Sequence, residues 1–117
     1  MISLVRNERG PYRDPDEIRA LIRGSQPYYL VDVRTREEYD DGFIPTARWI
    51  PWEEVATNPP TQQRDALIIL YCYSGVRSES ARVALRRAGY TRVFNFGGII
   101  NWPDELVIGS GPGNAGE

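Results

Sequence analysis

Two residue types are missing from this 117-residue sequence, since it contains neither histidine nor lysine. Without histidine, the chain cannot form a Ser-His-Asp triad, a Cys-His protease dyad or most of the common zinc sites. Cysteine is almost absent as well, and the single Cys72 cannot form an internal disulfide or a CxxC redox pair. If the protein is a catalyst that uses a side-chain nucleophile, Cys72 is therefore the first candidate.

An excess of positive charge and a long apolar segment are also missing. The basic and acidic residues number 14 and 16, whereas nucleic-acid-binding proteins usually carry a basic excess or stripe. The longest apolar stretch, Ala66–Cys72, is far shorter than the ~18–20 residues needed to cross a membrane. Residues 1–10 also lack the apolar run of a secretory signal. We therefore expect a cytoplasmic protein that binds neither nucleic acid nor a membrane and keeps its thiol reduced.

The length of the chain predicts one domain with one core. We interpret residues 1–108 as that domain. Residues 109–117 are rich in glycine and lack large apolar side chains, so we expect them to be a disordered tail.

Capping boxes, glycines and apolar runs predict helices and strands in alternation, which favours an α/β fold with a mostly parallel sheet. The capping boxes are Asp14 with Glu17 and Thr35 with Glu38. In chain order, we predict a helix at Asp14–Gly24, a strand at Tyr28–Val33, a helix at Thr35–Asp41, an extended segment at Ala47–Pro51, a helical turn at Pro51–Val55, a strand at Ala66–Tyr71, a helix at about Arg77–Ala88, a strand at Arg92–Asn95 and a helical segment that Gly97-Gly98 opens and that runs to Trp102.

The segment Cys72–Ser78 offers chemistry that the rest of the sequence does not. A buried strand delivers Cys72 to its carboxyl end, and a tight turn leads into a helix that begins near Arg77. Unpaired N–H groups of such a turn and of the first helical turn lower a thiol pKa and stabilise an anion. Gly75 permits the backbone angles that the turn needs. The alternative is a purely structural segment, in which a cysteine ends a strand and a glycine makes a turn.

The order of the motifs resembles that of the single-domain rhodanese family over about residues 12–107. The segments that carry the resemblance are Leu30–Arg34, Glu38-Tyr39, Gly42–Ala47, Cys72–Ser78, Gly89-Tyr90 and Gly97–Ile99 with Trp102. Phe43 and Thr46 stand where the family usually has His and often has Gly. We expect these two differences to affect local packing and a turn rather than the nucleophile.

The resemblance implies a three-layer α/β sandwich in which helices flank a central, mostly parallel sheet. It also implies sulfur transfer through a persulfide on a catalytic Cys72, without a metal or an organic cofactor. The implied substrates are a small-molecule sulfur donor such as thiosulfate and a thiol or cyanide acceptor, with a sulfur-accepting protein as a further partner. The residues expected to bind substrate are Tyr73, Ser74, Gly75, Val76 and Arg77.

Two other functions stay open on the sequence. Phosphatases and arsenate reductases related to the rhodaneses have a longer loop between Cys and Arg than the Tyr73–Val76 segment found here, so this loop favours a sulfur atom over a phosphate. Non-catalytic rhodanese-like modules, which bind or regulate, often lack the cysteine that this chain keeps. Asp32 and Arg34, at the end of a neighbouring strand, are expected to brace loops rather than react.

Overall fold

The computed structural model describes residues 10–108. Its helices are α1 (Pro15–Arg23), α2 (Arg36–Asp41) and α3 (Val76–Arg87), followed by a 3-10 helix at Ile99–Asn101. Its strands are β1 (Tyr29–Asp32), β2 (Arg48–Trp49), β3 (Ile68–Cys72) and β4 (Val93–Gly98). The predicted tail at 109–117 lies outside the described residues.

The starts of the first two helices follow from their capping residues. The Asp14 side chain accepts the N–H of Asp16 at 2.9 Å, and Pro15 occupies the first helical position. The predicted capping box of Asp14 with Glu17 does not form. The Glu17 carboxylate accepts the N–H of Tyr12 at 2.8 Å instead. Helix α2 does have the complete box, formed by Thr35 and Glu38.

The four strands form one parallel sheet in the order β2-β1-β3-β4. The apolar run predicted as a central strand is β3, which is buried along its whole length between β1 and β4. Crossover connections and burial of both faces are typical of parallel sheets, and they confirm the predicted α/β class.

Two predicted helical elements are shorter or less regular in the structure. Gly97 and Gly98 extend β4 and pair with Tyr71 and Cys72, so the predicted helical segment begins only after them, as the 3-10 helix Ile99–Asn101 for which Gly98 is the N-cap residue. At residues 51–55, the Glu54 N–H donates to the Pro51 carbonyl oxygen at 2.9 Å, which gives one hydrogen-bonded turn and no longer helix.

The core has two parts, one on each face of the sheet. On one face, Ile18 and Leu21 of α1 pack with Ile69 and Tyr71 of β3. On the other face, α3 packs with the alternate residues of β3, which are Ile68, Leu70 and Cys72. Helices therefore cover both faces, which confirms the three-layer architecture and places Cys72 beneath α3. Within residues 10–108, no helix has the length and apolar character needed to span a membrane.

Candidate active site

Strand β3 ends at Cys72, which is 1% exposed. Its Sγ accepts a hydrogen bond from the backbone N–H of Gly75 at 3.0 Å and another from the Ser78 hydroxyl at 3.4 Å. The chain thus curls around the sulfur and presents hydrogen-bond donors to it. Donors to the charged form favour that form, so this environment stabilises a thiolate.

The pKa of Cys72 reflects two opposing effects. Burial of the thiol acts to raise its pKa, since a thiolate is poorly solvated in the interior. The Ser78 hydroxyl and the backbone N–H groups of Ser78, Gly75 and Ser74 act in the other direction, and together they outweigh burial. The pKa of Cys72 therefore lies below its ordinary value, although the chain has no histidine to act as a base.

The curl of the loop requires glycines in the loop and in the strand beneath it. Gly75 has a φ of +107°, a left-handed conformation that side chains rarely adopt. A Cβ added at Gly98 would lie 2.3 Å from the carbonyl oxygen of Tyr73 and 2.8 Å from the Cα of Ser74. The loop therefore rests directly on the backbone of β4, and any side chain at Gly98 would displace it.

Asn95 links β4 to the same loop. Its side-chain amide donates to the carbonyl oxygen of Gly75 at 3.1 Å, and its Oδ1 accepts the N–H of Gly97 at 2.9 Å. Asn95 is buried, and its two contacts hold Gly75 in register with the strand.

Arg77 does not project alone into the site. Its two terminal nitrogens donate to the two carboxylate oxygens of Glu38, at 2.9 and 3.2 Å. This contact with Arg77 holds the pKa of Glu38 at about 2, and the same contact raises the pKa of Arg77. Interaction with Cys72 also contributes to the raised pKa of Arg77, so the guanidinium lies within electrostatic reach of the sulfur.

The other predicted substrate-binding residues lie along the loop in different ways. Ser74 and Gly75 direct backbone N–H groups toward the sulfur. Tyr73 is 53% exposed and Val76 is 73% exposed, so both side chains form the outer surface of the loop. The structure therefore brings Cys72, Gly75 and Arg77 together and leaves the side chains of Tyr73 and Val76 exposed.

Sequence reasoning missed three residues at this site: Glu38, Ser78 and Asn95. Glu38 was identified as part of a capping box and of a segment that carries the family resemblance, but not as a partner of Arg77, and their contact joins residues 39 positions apart. Ser78 carried a signal, since it lies at the first turn of the helix that the loop opens. Asn95 carried a weaker signal, as a buried amide within an otherwise apolar strand.

The neighbouring strand β1 ends in a closed ion pair. The Arg34 guanidinium donates to both oxygens of Asp32, and its NH2 group also donates to the carbonyl oxygen of Gly42 at 2.7 Å. Both side chains are buried, with 6% exposure for Arg34 and 0% for Asp32. As expected from the sequence, this pair braces the segment around Gly42.

Phe43 and Thr46 adopt distinct local roles. The Phe43 ring is buried and stacks on Tyr39, with 4.2 Å between ring centroids. A buried aromatic ring that packs in the core thus stands where the family that the sequence resembles usually has a polar histidine. Thr46 has a φ of +76°, so this turn has the left-handed geometry that glycine adopts most readily. The Thr46 hydroxyl accepts a hydrogen bond from the Tyr28 hydroxyl at 2.9 Å.

Two grooves flank this end of the sheet. A groove of about 770 Å³ runs beside α3, and its lining includes Arg13, Ser74, Val76 and Arg87. A smaller groove of about 360 Å³, whose lining includes Thr35 and Trp52, lies at the ends of β1 and β2. The first of these grooves therefore borders the loop at Ser74 and Val76.

Comparison with known proteins places this site in a family. The family model for the rhodanese-like domain matches residues 14–105. A sulfurtransferase from Allochromatium vinosum is 34% identical over 90 residues, which cover 76% of this chain and 84% of that protein.

Solved structures agree with the sequence match. A rhodanese-like domain protein from Staphylococcus aureus has 35% identity and a TM-score of 0.71, and the match covers 82% of this chain and 95% of that one. The human single-domain sulfurtransferase TSTD1 has 28% identity and a TM-score of 0.64, and the match covers 71% of this chain and 85% of that one. The chain, with its strand–Cys72–turn–helix site, belongs to the rhodanese-like domain family of sulfurtransferases.

Proposed function

We propose that this protein transfers sulfane sulfur through a persulfide on Cys72. The observation that carries the proposal is the surrounding of the Cys72 sulfur by the Gly75 N–H and the Ser78 hydroxyl, with a lowered pKa. A thiolate is the nucleophilic form of cysteine, so lowering the pKa raises the reactive fraction near neutral pH. The same donors also stabilise an anionic sulfur bound to Cys72.

The reaction has two steps, each a displacement at sulfur. In the first, the Cys72 thiolate attacks the outer sulfur of thiosulfate, the donor S–S bond breaks, and sulfite leaves with the bonding electrons. In the second, cyanide, a small thiol or a protein dithiol attacks the outer sulfur of the persulfide and releases the Cys72 thiolate. Both steps require a reduced thiol, so we also propose a reducing compartment such as the cytoplasm as the site of action.

The second candidate is a rhodanese-like module that binds a partner without catalysis. The exposed Tyr73 and Val76 side chains favour it, since apolar groups on an outer surface suit contact with another protein. The lowered pKa of Cys72 argues against it, because binding alone does not require an activated thiol.

Intact mass spectrometry tests the proposal. The protein is incubated with thiosulfate, and the expected result is a gain of about 32 Da that disappears when cyanide is added. Because Cys72 is the single cysteine of the chain, the variant Cys72→Ser is a complete control and gains no mass. If the thiol reacts with iodoacetamide but takes no sulfur from thiosulfate, a thiosulfonate or an organic persulfide, the binding-module function is the better account.

A further inference from the structure

The positive charge that Arg77 brings to the active-site loop is offset by Glu38. Both terminal nitrogens of the guanidinium are engaged by both oxygens of one carboxylate, the paired geometry that gives the strongest contacts of this type. At the end of the neighbouring strand, the charge of Arg34 is offset in the same way by Asp32. The loop thus relies on N–H and hydroxyl dipoles, with little net charge from Arg77.

Glu38 is fixed in place and stays ionised. Its Oε1 accepts the Thr35 N–H at 2.9 Å and the Thr35 hydroxyl at 3.1 Å, in addition to Arg77. The pKa of Glu38, at about 2, keeps the carboxylate charged at every physiological pH. A full negative charge is therefore held permanently next to the guanidinium, within a helix cap that does not depend on substrate.

Arg77 still has hydrogen bonds to offer. A guanidinium carries five N–H donors, and the contact with Glu38 uses two of its nitrogens. Arg77 can therefore orient a donor molecule while its charge is largely cancelled. The cancelled charge matters because the attacking group is itself an anion, and each additional negative charge on the donor adds repulsion.

We propose that the Glu38–Arg77 pair selects the sulfur donor by charge, favouring singly charged sulfane donors, such as thiosulfonates and organic persulfides, over the doubly charged thiosulfate. The inference rests on the sulfurtransferase function proposed above and specifies its donor class. Glu38 acts here through Arg77, as a residue that positions the guanidinium and sets its effective charge.

Methanethiosulfonate and thiosulfate form a matched pair of probes. Both present an outer sulfur bonded to a tetrahedral sulfur centre, and they differ by one negative charge. With either probe, the Cys72 thiolate forms a new S–S bond, the donor S–S bond breaks, and its electron pair leaves as methanesulfinate or as sulfite. The persulfide keeps the negative charge of the thiolate, so no proton, oxidant or reductant is needed.

The variant Glu38→Gln removes the charge and keeps the cap, since glutamine also serves at this position of a capping box. The matched control is Asp40→Asn, which removes one negative charge from the same helix, where Asp40 pairs with Arg36 on the surface. Initial rates of persulfide formation give kcat/KM for each probe with the parent and both variants. A purely structural role of Glu38 would change both probes by the same factor.

We expect Glu38→Gln to raise the ratio of kcat/KM for thiosulfate over that for methanethiosulfonate by about tenfold, and Asp40→Asn to change it by less than about twofold. An unchanged ratio in Glu38→Gln, with both probes still loading Cys72, overturns the charge-selection inference and leaves the sulfurtransferase function standing. Failure of both probes to load the parent protein overturns the function and the inference together.

Ionic strength gives a test that needs no variant. If the site carries little net positive charge, raising the salt concentration screens repulsion, so the parent's thiosulfate rate stays constant or rises relative to methanethiosulfonate. A steep fall in that relative rate would show that a net positive site attracts the dianion, which contradicts the inference.

Discussion

The ends of the adjacent strands β1 and β3 both bury a polar or ionisable group, but they differ in what surrounds that group. At the end of β1, Asp32 and Arg34 are buried and bond each other, so every charge has a fixed partner. At the end of β3, Cys72 is equally buried, but its sulfur meets hydrogen-bond donors, among them those of Gly75 and Ser78, and no counter-ion is closed on it as Arg34 is on Asp32.

The difference shows what separates the structural site at β1 from the site at β3 that we propose to be reactive. The ion pair at β1 is complete and gains nothing from a further ligand. The sulfur at β3 has donors in place before any negative charge is present, which is the arrangement that stabilises charge developing during a reaction. The predictions below test this contrast, from the largest expected effect to the smallest.

The Asp32–Arg34 pair at the end of β1 should contribute more to the free energy of unfolding than Cys72 does. Asp32→Asn leaves the Arg34 charge buried without its counter-ion, and we expect a loss of about 3–5 kcal/mol in the free energy of unfolding. Cys72→Ser should cost no more than about 1 kcal/mol, because a hydroxyl can use the same donors. Urea unfolding of both variants measures the two values. Equal losses would contradict the assignment of β1 to structure and β3 to chemistry.

Persulfide formation at Cys72 should be lost when the loop after β3 is displaced from β4. Gly98→Ala places a methyl group against the carbonyl oxygen of Tyr73, so we expect about 1–3 kcal/mol of destabilisation and at least about a hundredfold loss of persulfide formation. Gly10→Ala is the control for backbone strain without a clash, since its φ of +85° disfavours a side chain but its Cβ meets nothing within 4 Å, and it should leave sulfur loading unchanged. If folded Gly98→Ala still loads sulfur on Cys72 at the normal rate, the contact between the loop and β4 is not required for persulfide formation.

The hydroxyl of Ser78 should lower the pKa of the Cys72 thiol and contribute little to the stability of the fold. Ser78→Ala removes a donor to the thiolate, so the pKa of Cys72 should rise toward its ordinary value. The pH dependence of alkylation by iodoacetamide measures the change, and its rising limb should move to higher pH. The control variant Ser80→Ala alters an exposed residue of the same helix and should leave the limb in place.

Thr46 offers the smallest effect, in the segment that leads into β2. Thr46→Gly relieves a left-handed conformation in a β-branched residue but loses the hydrogen bond from Tyr28. We expect a net gain of about 0.5–1 kcal/mol in the free energy of unfolding. Tyr28→Phe, measured by the same thermal unfolding, isolates the cost of the lost hydrogen bond. Destabilisation by Thr46→Gly beyond that cost would contradict the strain assigned to this turn.

Sequence reasoning predicted both strand ends, which are the loop after Cys72 and the bracing pair of Asp32 and Arg34, but it did not predict the residue that pairs with Arg77. The apolar run that ends at Cys72, the glycine in the turn and the following helix are local signals, and they were enough to locate the loop that we propose to be reactive. The partner of Arg77 was not predicted, because Glu38 belongs to a different helix and local capping already explained it.

The glycines of β4 show a second limit of local reasoning. Gly97-Gly98 was predicted to open a helical segment, and a 3-10 helix does follow Gly98, but the two glycines themselves lie in β4. Glycine is needed at Gly98 because the loop at Tyr73 and Ser74, more than twenty residues earlier in the chain, lies directly against this part of β4. The register shift between Leu70 and Tyr71, which brings Gly97 and Gly98 opposite the end of β3, also has no local signature.

The central claim is that the end of β3 is built to hold a sulfur anion. An ultraviolet difference titration of the parent against Cys72→Ser tests it directly, because the chain has one thiol and thiolate absorbance reports its ionisation. The account predicts a midpoint clearly below the ordinary cysteine value of about 8.5. A midpoint at or above that value would show that burial outweighs the donors around Cys72, and it would contradict the account.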